Sequence, residues 1–473
     1  MSAKTPVEST QIGLIDDSIR EVNTALNRGE AVDHPPGPIE AGRFHDGGPL
    51  KRGRSALFWD ESFLWGIIAL NTLSDLAFDF RPINADEIKQ GMLEGYDIFI
   101  VPGGWARQKA RALGEGGKEC IRNFVRNGGS YLGFCGGAGL ALDVKEGLSL
   151  VPLKRMDVRD RVPNFSGPIH VYAQEPRHPL WAGIESPSIF HVWWPSQFMY
   201  CKAESIKVLA VYGDPADDFF VADLNAKDIN NSRTGWEPWE KEYGIRLDPI
   251  NIKGEPAIVE SSYGRGKVVL SYIHLETPDD TTGHLALFNL WQYLVSNSPS
   301  RSKDMGKACT KGLSSNRCVA ISLDALKYAD ELEREMEDFV SFGIRNFLWY
   351  RRNGWLLQWK RGIMGLEYST VYLMAKEIRK RIEERVQDGL HGSCEISRRL
   401  RSILNDSRQF LSMAKELLIQ ERYAMNTGKL HRFASPIQSI QVLRERLFAD
   451  AMGTGGICRK LLVSMDGVLR LLF

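Results

Sequence analysis

Nowhere in its 473 residues does the chain carry an uninterrupted apolar run long enough to span a membrane. Its opening residues, MSAKTPVEST, lack the charged-then-apolar pattern of a secretory signal. Cysteine is sparse. The seven residues Cys120, Cys135, Cys201, Cys309, Cys318, Cys394 and Cys458 are an odd number with no C-x-x-C pair. That argues against a disulfide framework and a zinc ribbon, and it makes a reducing cytoplasm the expected compartment. Net charge is nearly absent too, +1 from 60 basic and 59 acidic residues, so no overall pull toward nucleic acid or membrane is implied. The balance conceals an asymmetry of about −9 up to residue 300 and about +10 beyond it. Solvated helix faces account for that basic part more simply than an acidic partner does. No internal repeat is found.

What is present is strand–helix alternation. Residues 1–30 read as an amphipathic helix from Ile12, Leu14, Ile15, Ile19, Val22 and Leu26, and a Pro/Gly/His-rich arm follows to residue 50. From Ser55, the segments SALFW, LAFDFRPI, YDIFIVPGG and SYLGF read as strands. Helical patterns separate them in ESFLWGIIALNTL, in NADEIKQGMLEGY with its Asn84 cap, and in KECIRNFVRNGG. Repeated βα units specify a parallel sheet covered on both faces, with chemistry gathered at the carboxyl ends of the strands. PAIVESSYGRGKVVLSYIHLE predicts two strands around a Gly-Arg-Gly turn, and GHLALFNLWQYLV a helix that closes the 51–297 domain. A polar linker over 298–320 leads to residues 321–473, whose amphipathic segments predict an antiparallel helical bundle.

The stretch SYLGFCGGAGLAL, Ser130–Leu142, places one thiol between glycines where a strand runs into a helix. Gly133-Phe134-Cys135-Gly136-Gly137 fits G-x-C-x-G, the thiol form of a nucleophile elbow. The tight turn needs tiny neighbours and lifts the sulfur to a helix N-terminus, where the thiolate is favoured. The Gly136 amide and a second donor from the VPGG loop, Gly103-Gly104, are candidate oxyanion contacts. A thiol nucleophile also wants a base and an orienting acid. Of nine histidines, His274 is distinguished by Glu276: two apart on a strand, they project to one side with Leu275 opposite.

Strand–VPGG–helix–YLGFCGGAG, with GRGKVVLSYIHLE far downstream, resembles the class I glutamine amidotransferase-like superfamily. Within it the likeness is closest to the domain at the N-terminus of eukaryotic biotin–protein ligases. The resemblance covers roughly residues 50–297. It implies a flavodoxin-like doubly wound sheet, Cys135 as nucleophile, His274 as base and Glu276 as its orienting acid. It implies an oxyanion pocket near Gly104 and Gly136. Two departures stand out. Glutamine-hydrolysing members carry C-x-G-x-Q where this chain has Gly139, and they read His-Pro-Glu where Leu275 stands here. The helical part has no phosphate loop to activate an acceptor, which argues against ammonia delivery. LKRGRSALFW and YGRGKVV only echo an adenylate-binding loop and lie outside any biotin-binding domain, so biotin ligation is rejected.

Other signals have plainer readings. His170, His178 and His191 lack metal-ligand spacing, His391 and Cys394 have no partners, and MGTGGICRK follows no strand. No metal and no cofactor is expected. His191, Trp193 and Trp194 read as aromatic packing, and Asp60 and Glu61 as helix-capping acids as readily as site carboxylates. The segment around Arg345, Arg351, Arg352, Lys360 and Arg361, interleaved with aromatics, suits packing or a protein partner better than nucleic acid or membrane. Two functions stand. One is a thiol enzyme acting on a small amide or peptide-like substrate; the other is a non-catalytic scaffold that uses the same pocket or its basic helical region to hold a partner.

Overall fold

A computed structural model describes residues 53–200, 205–298, 323–387, 394–428, 436–449 and 455–473. The expected N-terminal helix, the arm, the linker, Cys201, Cys309, Cys318 and His391 lie outside the described residues. The described residues form one compact unit.

The first four strands are β1 (Ser55–Phe58), β2 (Phe80–Ile83), β3 (Ile98–Val101) and β4 (Ser130–Phe134). The next seven are β5 (Phe165–Ala173), β6 (Ser188–Trp193), β7 (Lys207–Pro215), β8 (Phe220–Val221), β9 (Leu224–Asn225), β10 (Pro256–Tyr263) and β11 (Gly266–Ser271). They form an 11-stranded sheet in the order β9-β8-β5-β7-β10-β11-β4-β3-β1-β2, with β6 paired to β5. At one end of it β2-β1-β3-β4-β11 are all parallel, with β2 as the edge strand. That is the 2-1-3-4-5 order of flavodoxin-like sheets, which places a ligand crevice at the strand ends around the switch between β1 and β3. β1, β3 and β4 are buried along their whole length, as a sheet covered on both faces requires. The remaining strands extend it antiparallel.

The helices of this part are α1 (Phe63–Asp75), α2 (Ala85–Lys89), α3 (Ala106–Arg126), α4 (Gly136–Ala141) and α5 (Thr281–Asn297). α2 opens on the expected cap: the Asn84 side chain accepts from the Asp86 and Glu87 amides, and Glu87 reciprocates. α3 begins well before KECIRNFVRNGG and bends at Gly114, whose φ is 59°.

The C-terminal part comprises α6 (Leu323–Arg345), α7 (Leu366–Gln387), α8 (Cys394–Asn426), α9 (Gln438–Phe448) and α10 (Gly456–Leu472). Phe339, Trp349, Tyr368, Phe410 and Phe448 pack ring against ring at its centre. The helical region thus forms as expected, with one local difference. The helix expected to reach Tyr350 stops at Arg345, and β12 (Trp349–Arg351) and β13 (Leu357–Trp359) make an antiparallel hairpin. This hairpin holds much of the basic–aromatic segment, and it packs on the α/β part. Arg352 donates to Asp218 and Ser166 and lies over the rings of Trp193 and Phe220. α7 meets α1 through Asn71, Glu377 and Arg381.

Candidate active site

Cys135 sits in the turn between β4 and α4 with φ 45° and ψ −102°, a conformation that L-residues other than glycine rarely adopt. The surrounding glycines explain how the turn is tolerated. A Cβ on Gly133 would come within 2.7 Å of the Gly137 backbone, and one on Gly137 within 2.0 Å of the Val101 carbonyl oxygen. The spacing read as an elbow is therefore sterically required. The Cys135 amide donates to the Ser271 carbonyl at 2.8 Å, tying the turn to β11. Its sulfur is half-buried and lies 4.0 Å from the Trp193 carbonyl oxygen. α4 has only six residues, so its dipole is small and its free first-turn amides supply the local positive potential.

His274 and Glu276 come together, by a different route from the one expected. β11 ends at Ser271, so the pair lies in the turn beyond the strand and not on one strand face. The Ser271 hydroxyl donates to the Ile273 carbonyl and accepts from the Ile273 amide, which ends the regular pairing. The turn brings Nδ1 of His274 to 2.8 Å from Oε1 of Glu276. Each residue is 1 % exposed. The His274 amide donates to the His191 carbonyl, the Thr277 hydroxyl to the His274 carbonyl, and the Thr72 hydroxyl to the Glu276 carbonyl. Nε2 of His274 is buried and bonds to no protein nitrogen or oxygen, which leaves it to the neighbouring Cys135. Burial opposes charge on this imidazole, but the Glu276 carboxylate and the neighbouring Cys135 outweigh it and raise its pKa to about 10. The ring is thus held as an imidazolium at neutral pH, with Nε2 available to a reacting group.

The candidate oxyanion loop abuts the elbow. Gly104 has φ 102°, and its carbonyl oxygen would stand 1.8 Å from a Cβ on Gly136, so the two backbones meet only because both residues are glycine. Among the described residues, no protein group accepts from the Gly104 or Gly136 amide. Gly103 has a different place: a Cβ there would meet Trp65 at 2.9 Å and His274 Cε1 at 3.2 Å. It is a spacer that lets the indole lie against the imidazole.

Asp60 and Glu61 do not cap the helix they precede. Asp60 accepts from the Ala85 amide at the start of α2 and pairs with Arg470, while Glu61 holds Arg459 at 2.6 Å. His178 binds Glu260, His191 binds Asp280, and His170 meets the Asp214 carbonyl. Among the described residues no group of His, Cys, Asp and Glu could hold a metal ion.

Three nearby features carried no sequence signal. Lys109 on α3 is fully buried behind Gly104, where its ammonium donates to the Ser62 hydroxyl and the Asp60 carbonyl. Burial lowers its pKa to about 7 against the pull of Glu61 and Asp60. Glycines at 114, 116 and 117 hide the helical period that would have drawn attention to it. Trp65 covers His274, and Trp355 of the hairpin closes on Trp65 and Trp193. Arg161 stands in an irregular loop, where no periodicity exists to read.

A family model described as "Biotin-protein ligase, N terminal" matches residues 61–144, which include the elbow but not His274 or Glu276. A comparison with curated proteins finds no match. Among solved structures, a glutamine amidotransferase from Thermotoga maritima is similar at 10 % identity over 52 % of this chain and 99 % of that one, with a TM-score of 0.34. A Thermoplasma acidophilum protein assigned as part of a GMP synthase shows 13 % identity over 52 % of this chain and 96 % of that one, TM-score 0.32. The β-galactosidase from Rahnella sp. R3 aligns at 15 % identity over 52 % of this chain but only 31 % of its own, TM-score 0.32. The chain has a flavodoxin-like α/β sheet with a helical C-terminal region, and its residues 61–144 resemble the N-terminal part of biotin–protein ligases.

Proposed function

We propose that residues 51–297 act as a cysteine-nucleophile hydrolase on an amide or related acyl compound, with Cys135, His274 and Glu276 as a triad and Gly104 and Gly136 as oxyanion donors. The observation that carries the reading is the buried His274–Glu276 pair at 2.8 Å beside a cysteine held at positive φ. In the reaction the Cys135 thiolate attacks the acyl carbon, and the carbonyl oxygen takes negative charge between the glycine amides. The C–N bond then breaks, Nε2 of His274 gives its proton to the departing amine, and a thioester remains. Water attacks the thioester, losing a proton to His274. The C–S bond breaks and a carboxylic acid leaves. Such a thiol works in a reducing compartment, which suits a cytoplasmic protein.

Gly139, at the position of the substrate-holding glutamine of the glutamine-hydrolysing relatives, speaks against glutamine as substrate. It also supports the second reading, a scaffold that has kept the fold without the reaction. A panel of electrophilic amide probes followed by peptide mass spectrometry separates them. The enzyme reading expects Cys135 to react at least tenfold faster than the half-buried Cys120, and equal rates would sink it.

A further inference from the structure

A second set of polar groups converges on Cys135 and takes no part in the triad. Because the Cys135 amide is bonded to the Ser271 carbonyl, Tyr272 stands at the adjoining strand end, its ring on Phe198 with centroids 4.2 Å apart. The Cys135 sulfur faces the carbonyl of Trp193, and three residues on, the Ser196 hydroxyl accepts from Arg161. The chain around Arg161 is held across this segment. Arg155 pairs with Phe198, and the Val162 amide donates to the Gln197 side chain at 2.8 Å. Tyr212 closes the group from β7, edge-on to Phe165.

These groups are left with unused hydrogen-bonding capacity. Nε of Arg161 and the hydroxyl of Tyr212 are buried without a partner, and the Tyr272 hydroxyl has only the Ser196 side chain to bond to. Among the described residues no carboxylate lies within ion-pair distance of Arg161, although it is half-buried. A buried donor left unused is costly, so a guanidinium nitrogen and a phenol in that state beside a nucleophile, with Tyr272 next to them, call for an acceptor. Burial raises both phenols, keeping them neutral donors, and it lowers the Arg161 guanidinium, with Cys135 acting on all three. One guanidinium fork and two neutral hydroxyls match a monoanion with two oxygens better than a doubly charged phosphate.

We infer that Arg161, Tyr272 and Tyr212 form a subsite for a carboxylate of the substrate, so that Cys135 acts on an amide or acyl compound that is itself an acid. This rests on Cys135 being the nucleophile.

The test uses the full chain with two alkylating agents, iodoacetate and iodoacetamide. With each the sulfur–carbon bond forms as iodide leaves, and only the first carries the carboxylate. Rates at each cysteine are read by peptide mass spectrometry. The iodoacetate-to-iodoacetamide ratio at Cys135 is expected to exceed that at Cys120 tenfold or more. In Arg161→Gln it should fall to the Cys120 value, and in Tyr272→Phe part of the way, the ratio within each variant cancelling any change in thiolate reactivity common to both reagents. In the wild-type protein, free glutarate, and not glutaramide, should slow iodoacetamide at Cys135. Equal ratios at the two cysteines, a ratio indifferent to Arg161→Gln, or equal protection by glutarate and glutaramide overturns the subsite. If Cys135 is no faster than Cys120 toward iodoacetamide, the nucleophile itself is refuted instead.

Discussion

The indole of Trp65 lies over the imidazole of His274 with ring centroids 4.6 Å apart. Gly103 fits against both only because it lacks a side chain. The indole keeps water from one face of the imidazole while Glu276 fixes its edge, so the ring can neither turn nor lose charge easily.

The pH dependence follows from that enclosure. His274 titrates at about 10 in the folded protein against an ordinary value of 6.5. Its contribution to stability is complete below pH 6.5 and disappears as pH rises through about 10. Thioester formation, which needs the imidazolium, should stay level through neutrality and decline in the same alkaline range. Glu276→Gln should shift that decline toward neutral pH and slow the reaction about 10²–10⁴-fold. A pre-steady-state pH profile of both proteins checks this, and an unmoved alkaline limb would refute it.

Lys109 should cost the protein stability. Its pKa is lowered to about 7, so stability rises with pH between about 7 and 10.5 as the unfolded chain alone holds the proton. Lys109→Met should raise the urea midpoint at pH 7, with the gain shrinking as pH approaches 10.5. Ser62 stays satisfied in the variant through its bond to the Phe58 carbonyl. A lower midpoint at pH 7 would mean that the amine is a net support of the β1 loop.

Trp355 joins the helical region to the site. It touches Trp65 and Trp193 and is nearly buried. Trp355→Ala should destabilise by about 3–5 kcal/mol and speed alkylation of Cys135, because a wall of the site is removed. Urea unfolding and timed iodoacetamide labelling measure the two effects. A destabilised variant with unchanged labelling would show that the hairpin does not shield the sulfur.

Glu421 gives the helical region its own pH response. It is buried against Arg444 at 2.7 Å, and burial raises its carboxyl to about 7 despite that partner. The stability it supplies is complete below pH 4.5 and is lost as pH rises through about 7. Relative to Glu421→Gln, the wild type should therefore weaken between pH 5 and 8, by up to about 1.4 kcal/mol for each pH unit. Parallel denaturation curves across that range would contradict the assignment.

Legibility in the sequence tracked the range of the interactions. The strands from Ser55 to Phe134, the Asn84 cap and the glycine pattern around Cys135 are local, and each forms where its residues place it. His274 and Glu276 were legible as a pair, while the turn that joins them depends on the Ser271 hydroxyl and on pairing with His191. Asp60 and Glu61 stay open in the sequence between helix caps and site carboxylates, because their arginine partners lie some 400 positions away on α10. The β12–β13 hairpin was hidden because Trp349, Tyr350 and the leucines beyond them satisfy either period, and what fixes them is the surface of the α/β part.

Leu64, Trp65, Ile68 and Trp193 share one apolar cluster with Trp355 and Leu356 of the hairpin, flanked by Trp194 and Trp359. A fragment ending after α5 would present the first four, with Trp194, as a bare oily face. It would clump with its own copies even with every strand intact. The α/β part and the helical part thus complete one apolar cluster between them, and separating the two uncovers it on both.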